Sequence, residues 1–180
     1  MNLSVRNKRS HIGHEMNESI ESMNLDATDL RLLALLQEDA SLTNQALAGQ
    51  AHVSPATCLR RVARLTASGV IEKRVALLSP ERLGARLTAI AEITLDRQGA
   101  EHLAAFEARA LADAAVQQCY RVTPGPDFLL VVQMPDMPGY DALVQRLFTQ
   151  DANVRNVKCF FSVRRAKFET RIALPAVVPG

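Results

Sequence analysis

Apolar positions recur along this chain with two different periods, and the change between them divides it into parts. From residue 26 to residue 69 the repeat is helical. Leu32, Leu33 and Leu36 give a first helix one apolar face; Asp26 is placed to cap its start, and Asp29 stands in the first turn, where a negative charge suits the helix dipole. Thr43 can cap a second helix beginning at Asn44, and Ser54 followed by Pro55 opens a third. Leu47, Ala51 and Val53 supply small apolar packing between these two helices. Leu59, Val62 and Leu65 are expected to turn inward, which leaves Thr57, Arg60, Arg61 and Arg64 facing outward. Gly69 ends the third helix, and residues 70–78 read as an apolar and basic extended segment.

After Ser79-Pro80 and Leu83-Gly84 the pattern changes. Leu87, Ala89, Ala91, Ile93 and Leu95 alternate as a strand, and Leu103, Phe106 and Ala110 recur at helical spacing. Residues 116–123 and 128–133 read as strands joined by a Pro-Gly-Pro turn. Tyr140, Leu143, Val144, Leu147 and Phe148 fit a second helix, and residues 154–168 supply a last strand. The order βαββαβ builds a ferredoxin-like sheet with both helices on one face. Since the strand from Phe128 to Val132 is apolar on both faces, the bare side needs a cover, and a second copy of the chain is the expected one.

The expected fold class is therefore α+β: an N-terminal winged helix-turn-helix domain followed by a ferredoxin-like domain. The expected divisions are a flexible polar leader (1–24), the helix-turn-helix domain (25–78, motif about 44–63), a linker (79–86), the sheet domain (87–170) and a tail (171–180).

Overall charge changes this picture little, because 21 basic residues face 19 acidic ones. Its distribution matters more: residues 52–78 hold Arg60, Arg61, Arg64, Lys73 and Arg74 against Glu72 alone. A capped helix opening with Ser-Pro and carrying arginines on its outer face points to duplex DNA. Short polar side chains approach base edges, and guanidinium groups reach guanine or phosphate. The candidate DNA contacts are Ser54, Pro55, Thr57, Arg60, Arg61 and Arg64, with Lys73 and Arg74 on a wing. Cys58, Cys119 and Cys159 are odd in number and far apart, which argues against a disulfide framework or a zinc site; all three are expected as buried small hydrophobes. His11 and His14 lack a third metal ligand. No apolar run is long enough to cross a membrane, so a cytoplasmic protein without a membrane partner is expected. No paired carboxylates, nucleophile–base pair or phosphate loop argues for an enzyme, and no cofactor is expected.

The chain from Leu25 to about Leu174 resembles the leucine-responsive and asparagine-responsive (Lrp/AsnC) regulators. The resemblance rests on Leu25-Asp26, the run from Ser54 to Val62, Leu65 through Gly69-Val70-Ile71, Glu92-Ile93-Thr94-Leu95, Tyr120-Arg121-Val122-Thr123, Asp127-Phe128-Leu129-Leu130 and Pro135-Asp136-Met137. It implies a transcriptional regulator that binds operator DNA as a homodimer assembling to octamers or beyond. It also implies a second domain of the RAM type, sensing a small molecule, usually an amino acid. The family's effector turn corresponds here to Pro124-Gly125-Pro126-Asp127-Phe128, so Thr123, Pro124, Gly125, Asp127 and Phe128 are the candidate effector residues. Pro124 replaces a family glycine, Gly125 an aspartate, and Val157 and Cys159 stand where threonines are common; these changes imply a more apolar effector or none. His52 occupies a turn position where the family has glycine. Two other readings stand beside this one: an effector-independent architectural DNA-binding protein, and, because some tetrapyrrole decarboxylases resemble the family in fold, a decarboxylase-like enzyme, for which His102 is the second domain's lone histidine.

Overall fold

A computed structural model describes residues 25–84 and 87–175. The leader expected over residues 1–24, with His11 and His14, lies outside the described residues. Two compact units form, one from residues up to Ala76 joined by those from Glu169 onward, the other from Leu77–Phe168.

The first unit holds α1 (Ala27–Glu38), α2 (Asn44–Ala51) and α3 (Pro55–Ala67). Asp26 caps α1 in a reciprocal box with Asp29, Thr43 caps α2, and Ser54 caps α3 with proline in its first turn. Leu32, Leu47, Ala48, Ala51 and Cys58 form one buried cluster, while Leu30, Leu33 and Leu65 form another that takes in Val70 and Ile71. Leu59 departs from expectation, being 62% exposed, whereas Cys58 is fully buried. The reason is geometric. At about 100° per residue, positions 58, 62 and 65 return to one face, whereas 59 lies about 120° away from 65.

Residues 70–78, expected as an extended segment, begin with a bend at 70–71 and form no strand, and a short 3-10 turn, Glu81–Leu83, follows. Of the tail expected over residues 171–180, Ile172 and Leu174 are built into the first unit. Leu174 packs on the Leu30–Leu33–Leu65 cluster, and the Gln37 side chain bonds both the N–H (2.8 Å) and the C=O (3.3 Å) of Ile172.

The second unit contains β1 (Leu87–Leu95), α4 (Ala100–Ala112), β2 (Val116–Arg121), β3 (Phe128–Met134), α5 (Met137–Leu143) and β4 (Val154–Phe161). The antiparallel order is β2-β3-β1-β4. Ala89, Ala91, Ile93 and Leu95 on β1 and Phe128, Leu130 and Val132 on β3 are buried together with Leu103, Phe106 and Ala110 of α4. The expected second helix changes pitch: α5 gives way to a wider π-helical turn, Val144–Thr149, which still buries Leu147 and Phe148. The last strand, expected to reach residue 168, stops at Phe161, and residues 162–168 form no strand. Cys119 and Cys159 are half-buried. Burial raises the Tyr140 hydroxyl pKa to about 12, helped by its hydrogen bond with Cys159.

The opposite face of the sheet is uncovered and partly apolar. Ile90 stands between Val131 and Phe160 in register, Tyr120 stands opposite Leu129, and Ile90, Phe160 and Tyr120 are exposed. No described helix is long and apolar enough to cross a membrane.

Candidate nucleic-acid interface and effector turn

The turn between α2 and α3 is fixed by backbone geometry. His52 adopts the left-handed conformation (φ 57°, ψ 46°), its N–H bonds Gly49 O, and the Val53 N–H reaches back to Ala48 O at 3.0 Å, a Schellman-type ending. Arg31 caps the same helix end through a 3.0 Å bond to Ala51 O. The Asn44 amide donates to Pro55 O at 2.9 Å, tying the start of α2 to the start of α3.

At the start of α3, Ser54 Oγ accepts the Thr57 N–H (3.2 Å) and donates to Thr57 Oγ1 (2.9 Å). Ser54 and Pro55 are exposed and Thr57 is half-buried. Arg60 is exposed and has no ion pair among the described residues, nor have the exposed Lys73 and Arg74 beyond Gly69. Leu59, Val62, Ile71, Lys73 and Arg74 border an open groove of about 630 Å³ beside α3.

Of the other two arginines expected to face outward, Arg64 is exposed but paired, and Arg61 is not exposed. Arg61 turns back on α1, donating to Asp26 at 2.6 Å and Asp29 at 3.0 Å, with its side chain only 21% exposed. Arg64 is half-exposed, but its Nη2 bonds the second Asp29 oxygen at 2.5 Å. Their counter-ion, Asp29, is fully buried. The Asp29 backbone N–H, followed by the Arg61 guanidinium, holds the Asp26 carboxyl below its ordinary range. Sequence periodicity placed these arginines on the right side of the helix but had no means of showing carboxylates arriving from α1.

The turn between β2 and β3 is also more structural than expected. Asp127 Oδ2 accepts the Leu95 N–H at 2.7 Å and the Gln98 amide at 3.3 Å, and the Asp127 N–H donates to Ile93 O at 2.8 Å. Its polar groups therefore tie the end of β1 to the turn. Phe128, expected to touch an effector, is fully buried, with its ring 4.9 Å from that of Phe106. Thr123, Pro124 and Gly125 are exposed, and Gly125 has φ +129°, where a side chain would be strained. Gln98 is a turn-bonding residue that alternation alone did not mark.

His102 is half-buried on α4, its Nε2 3.6 Å from Glu101 Oε1. No cluster of three or more potential metal ligands occurs among the described residues.

Residues 25–72 match the winged helix-turn-helix DNA-binding family and residues 88–172 the Lrp/AsnC ligand binding domain. The DNA-binding transcriptional activator DecR of Escherichia coli is 33% identical over 150 residues, covering 83% of this chain and 99% of that protein. The leucine-responsive regulatory protein of Salmonella typhimurium is 31% identical, covering 83% and 92%. Among solved structures, an AsnC family transcriptional regulator from Agrobacterium tumefaciens superposes with a TM-score of 0.77 at 31% identity, covering 83% of this chain and 97% of that one. A transcriptional regulator from Neisseria meningitidis, solved as a complex with L-Met, also gives 0.77, at 29% identity with the same coverage. With a helix-turn-helix unit and an antiparallel α+β unit in the same order as these relatives, the chain belongs to the Lrp/AsnC family of DNA-binding transcriptional regulators.

Proposed function

We propose that the start of α3 reads operator DNA in the major groove through Ser54, Pro55, Thr57 and Arg60, with Lys73 and Arg74 on flanking phosphates. The observation that carries this reading is Arg60, an exposed arginine without an ion pair among the described residues, one turn along a helix whose N-terminus is open to solvent. Arg61 and Arg64 are left out of the contact set because Asp29 already binds both.

The second unit is proposed to sense an amino acid or related metabolite, supported by the similar Neisseria regulator solved with L-Met. In this chain Asp127 and Phe128 are engaged within the fold, so the accessible part of the turn is Thr123-Pro124-Gly125, which favours an apolar ligand. The bare sheet face around Ile90, Tyr120 and Phe160 is proposed to be covered by a second copy, which would present two recognition helices to two half-sites.

A thermal-shift screen against single amino acids tests the sensing claim, since a ligand at about 100 times its dissociation constant stabilises by about 2.7 kcal/mol. A shift with methionine, leucine or another apolar amino acid, and none with aspartate or asparagine, is the expected result. No shift with any amino acid would remove the amino-acid response and leave the effector-independent architectural reading.

A further inference from the structure

We propose that Asp29 is a positioning residue that sets the DNA specificity of α3 by withholding Arg61 and Arg64 from the phosphate backbone. The inference rests on the reading that α3 faces DNA.

Asp29 is fully buried, and a buried carboxylate persists only when its oxygens are filled by donors. Here the donors are the Asp26 N–H at 3.2 Å, Arg61 Nη1 at 3.0 Å and Arg64 Nη2 at 2.5 Å. Arg61 and Arg64 are three residues apart on one face of α3, so a single carboxylate spans both. Arg61 Nε is buried and has no hydrogen-bond partner among the described residues. The clamp does two things. It fixes α3 against α1 through Arg61 Nη1 and Arg64 Nη2, and together with Asp26 it offsets two of the three arginine charges that α3 carries. Phosphate attraction is independent of sequence, whereas base contacts specify. Withholding Arg61 and Arg64 thus weakens binding to any duplex while leaving Arg60 to distinguish bases.

The test measures full-length protein on two duplexes of equal length: one selected from a randomised pool with the unaltered protein, and one of mixed sequence, each across a salt series. Arg64→Gln is expected to leave the salt slope on the mixed duplex unchanged. Asp29→Asn releases Arg64, while Arg61 keeps its bond to Asp26, and is expected to steepen the slope by about 0.9 and to lower the ratio of selected to mixed affinity. A slope flattened by about 0.9 in Arg64→Gln would show Arg64 on a phosphate and overturn the inference. Should Asp29→Asn lose its helical circular-dichroism signal, Arg61→Gln and Arg64→Gln decide by the same slope criterion. Failure of the unaltered protein to bind either duplex would instead overturn the DNA-reading assignment itself.

Discussion

Replacing Asp127 by alanine removes a carboxylate that the structure uses as a bracket, and the cost follows from its bonds. Oδ2 accepts the Leu95 N–H at 2.7 Å, and Leu95 is 1% exposed, at a point where the β1–β4 register shifts. That amide therefore loses its partner at a part-buried position. A hydrogen bond to a charged group contributes about 1.5–3 kcal/mol, and an orphaned buried donor costs about 1–3 kcal/mol. These are two descriptions of one loss rather than terms to add. With Asp127 half-buried, we expect Asp127→Ala to destabilise the Leu77–Phe168 unit by about 2 kcal/mol, and Asp127→Asn, whose amide oxygen still accepts, by about half that. The chain has no tryptophan, and its two tyrosines, Tyr120 and Tyr140, both lie in this unit, so tyrosine emission during urea unfolding reports it alone. A lower midpoint at constant slope is the expected result. An unchanged midpoint would refute the structural role and return Asp127 to a purely effector-facing one.

Truncation after Phe168 removes the Gln37–Ile172 bonds and the Leu174 packing, and should lower the stability of the helical unit by about 2 kcal/mol; hydrogen exchange in α1 at its unaltered rate would contradict this. His52→Gly relieves a left-handed non-glycine residue and should stabilise the same unit by up to about 1 kcal/mol in thermal unfolding, whereas a lowered midpoint would show that the histidine side chain contributes a contact of its own. The Arg146 guanidinium holds the Asp113 carboxyl below its ordinary value of 3.8, so this pair stabilises the fold above that pH, and its contribution is lost as pH falls through the lower folded value. Asp113→Asn should therefore shrink the stability difference between about pH 6 and about pH 3, and an unaltered difference would remove the pair from the acid limb.

Most of the frame was legible because it is local. Asp26, Thr43, Ser54 and Pro55 announce helix starts through bonds made within four residues, and the alternation from Leu87 to Leu95 names the buried face of β1. What escaped was set by partners distant in sequence. Asp29 reads as an ordinary first-turn acid until α3 brings Arg61 and Arg64 to it from 32 and 35 positions away. Gln37 and Leu174 reveal their roles only when the chain returns more than a hundred residues later. Leu59 was misplaced by following a spacing of three where the helix needs three and four in turn; Cys58, small and fully buried, fills the inward position. The family turn at residues 124–128 kept its aspartate, but the 2.7 Å bond to Leu95 gives that aspartate work within the fold.

The most direct test of the central claim is equilibrium binding of Arg60→Ala to the selected duplex and to single-base variants of it. The account predicts a loss of about 1–3 kcal/mol on the selected duplex, with discrimination relaxed at one base position and retained at the others. Affinity and discrimination equal to those of the unaltered protein would place Arg60 outside the interface and contradict the reading of DNA by the start of α3.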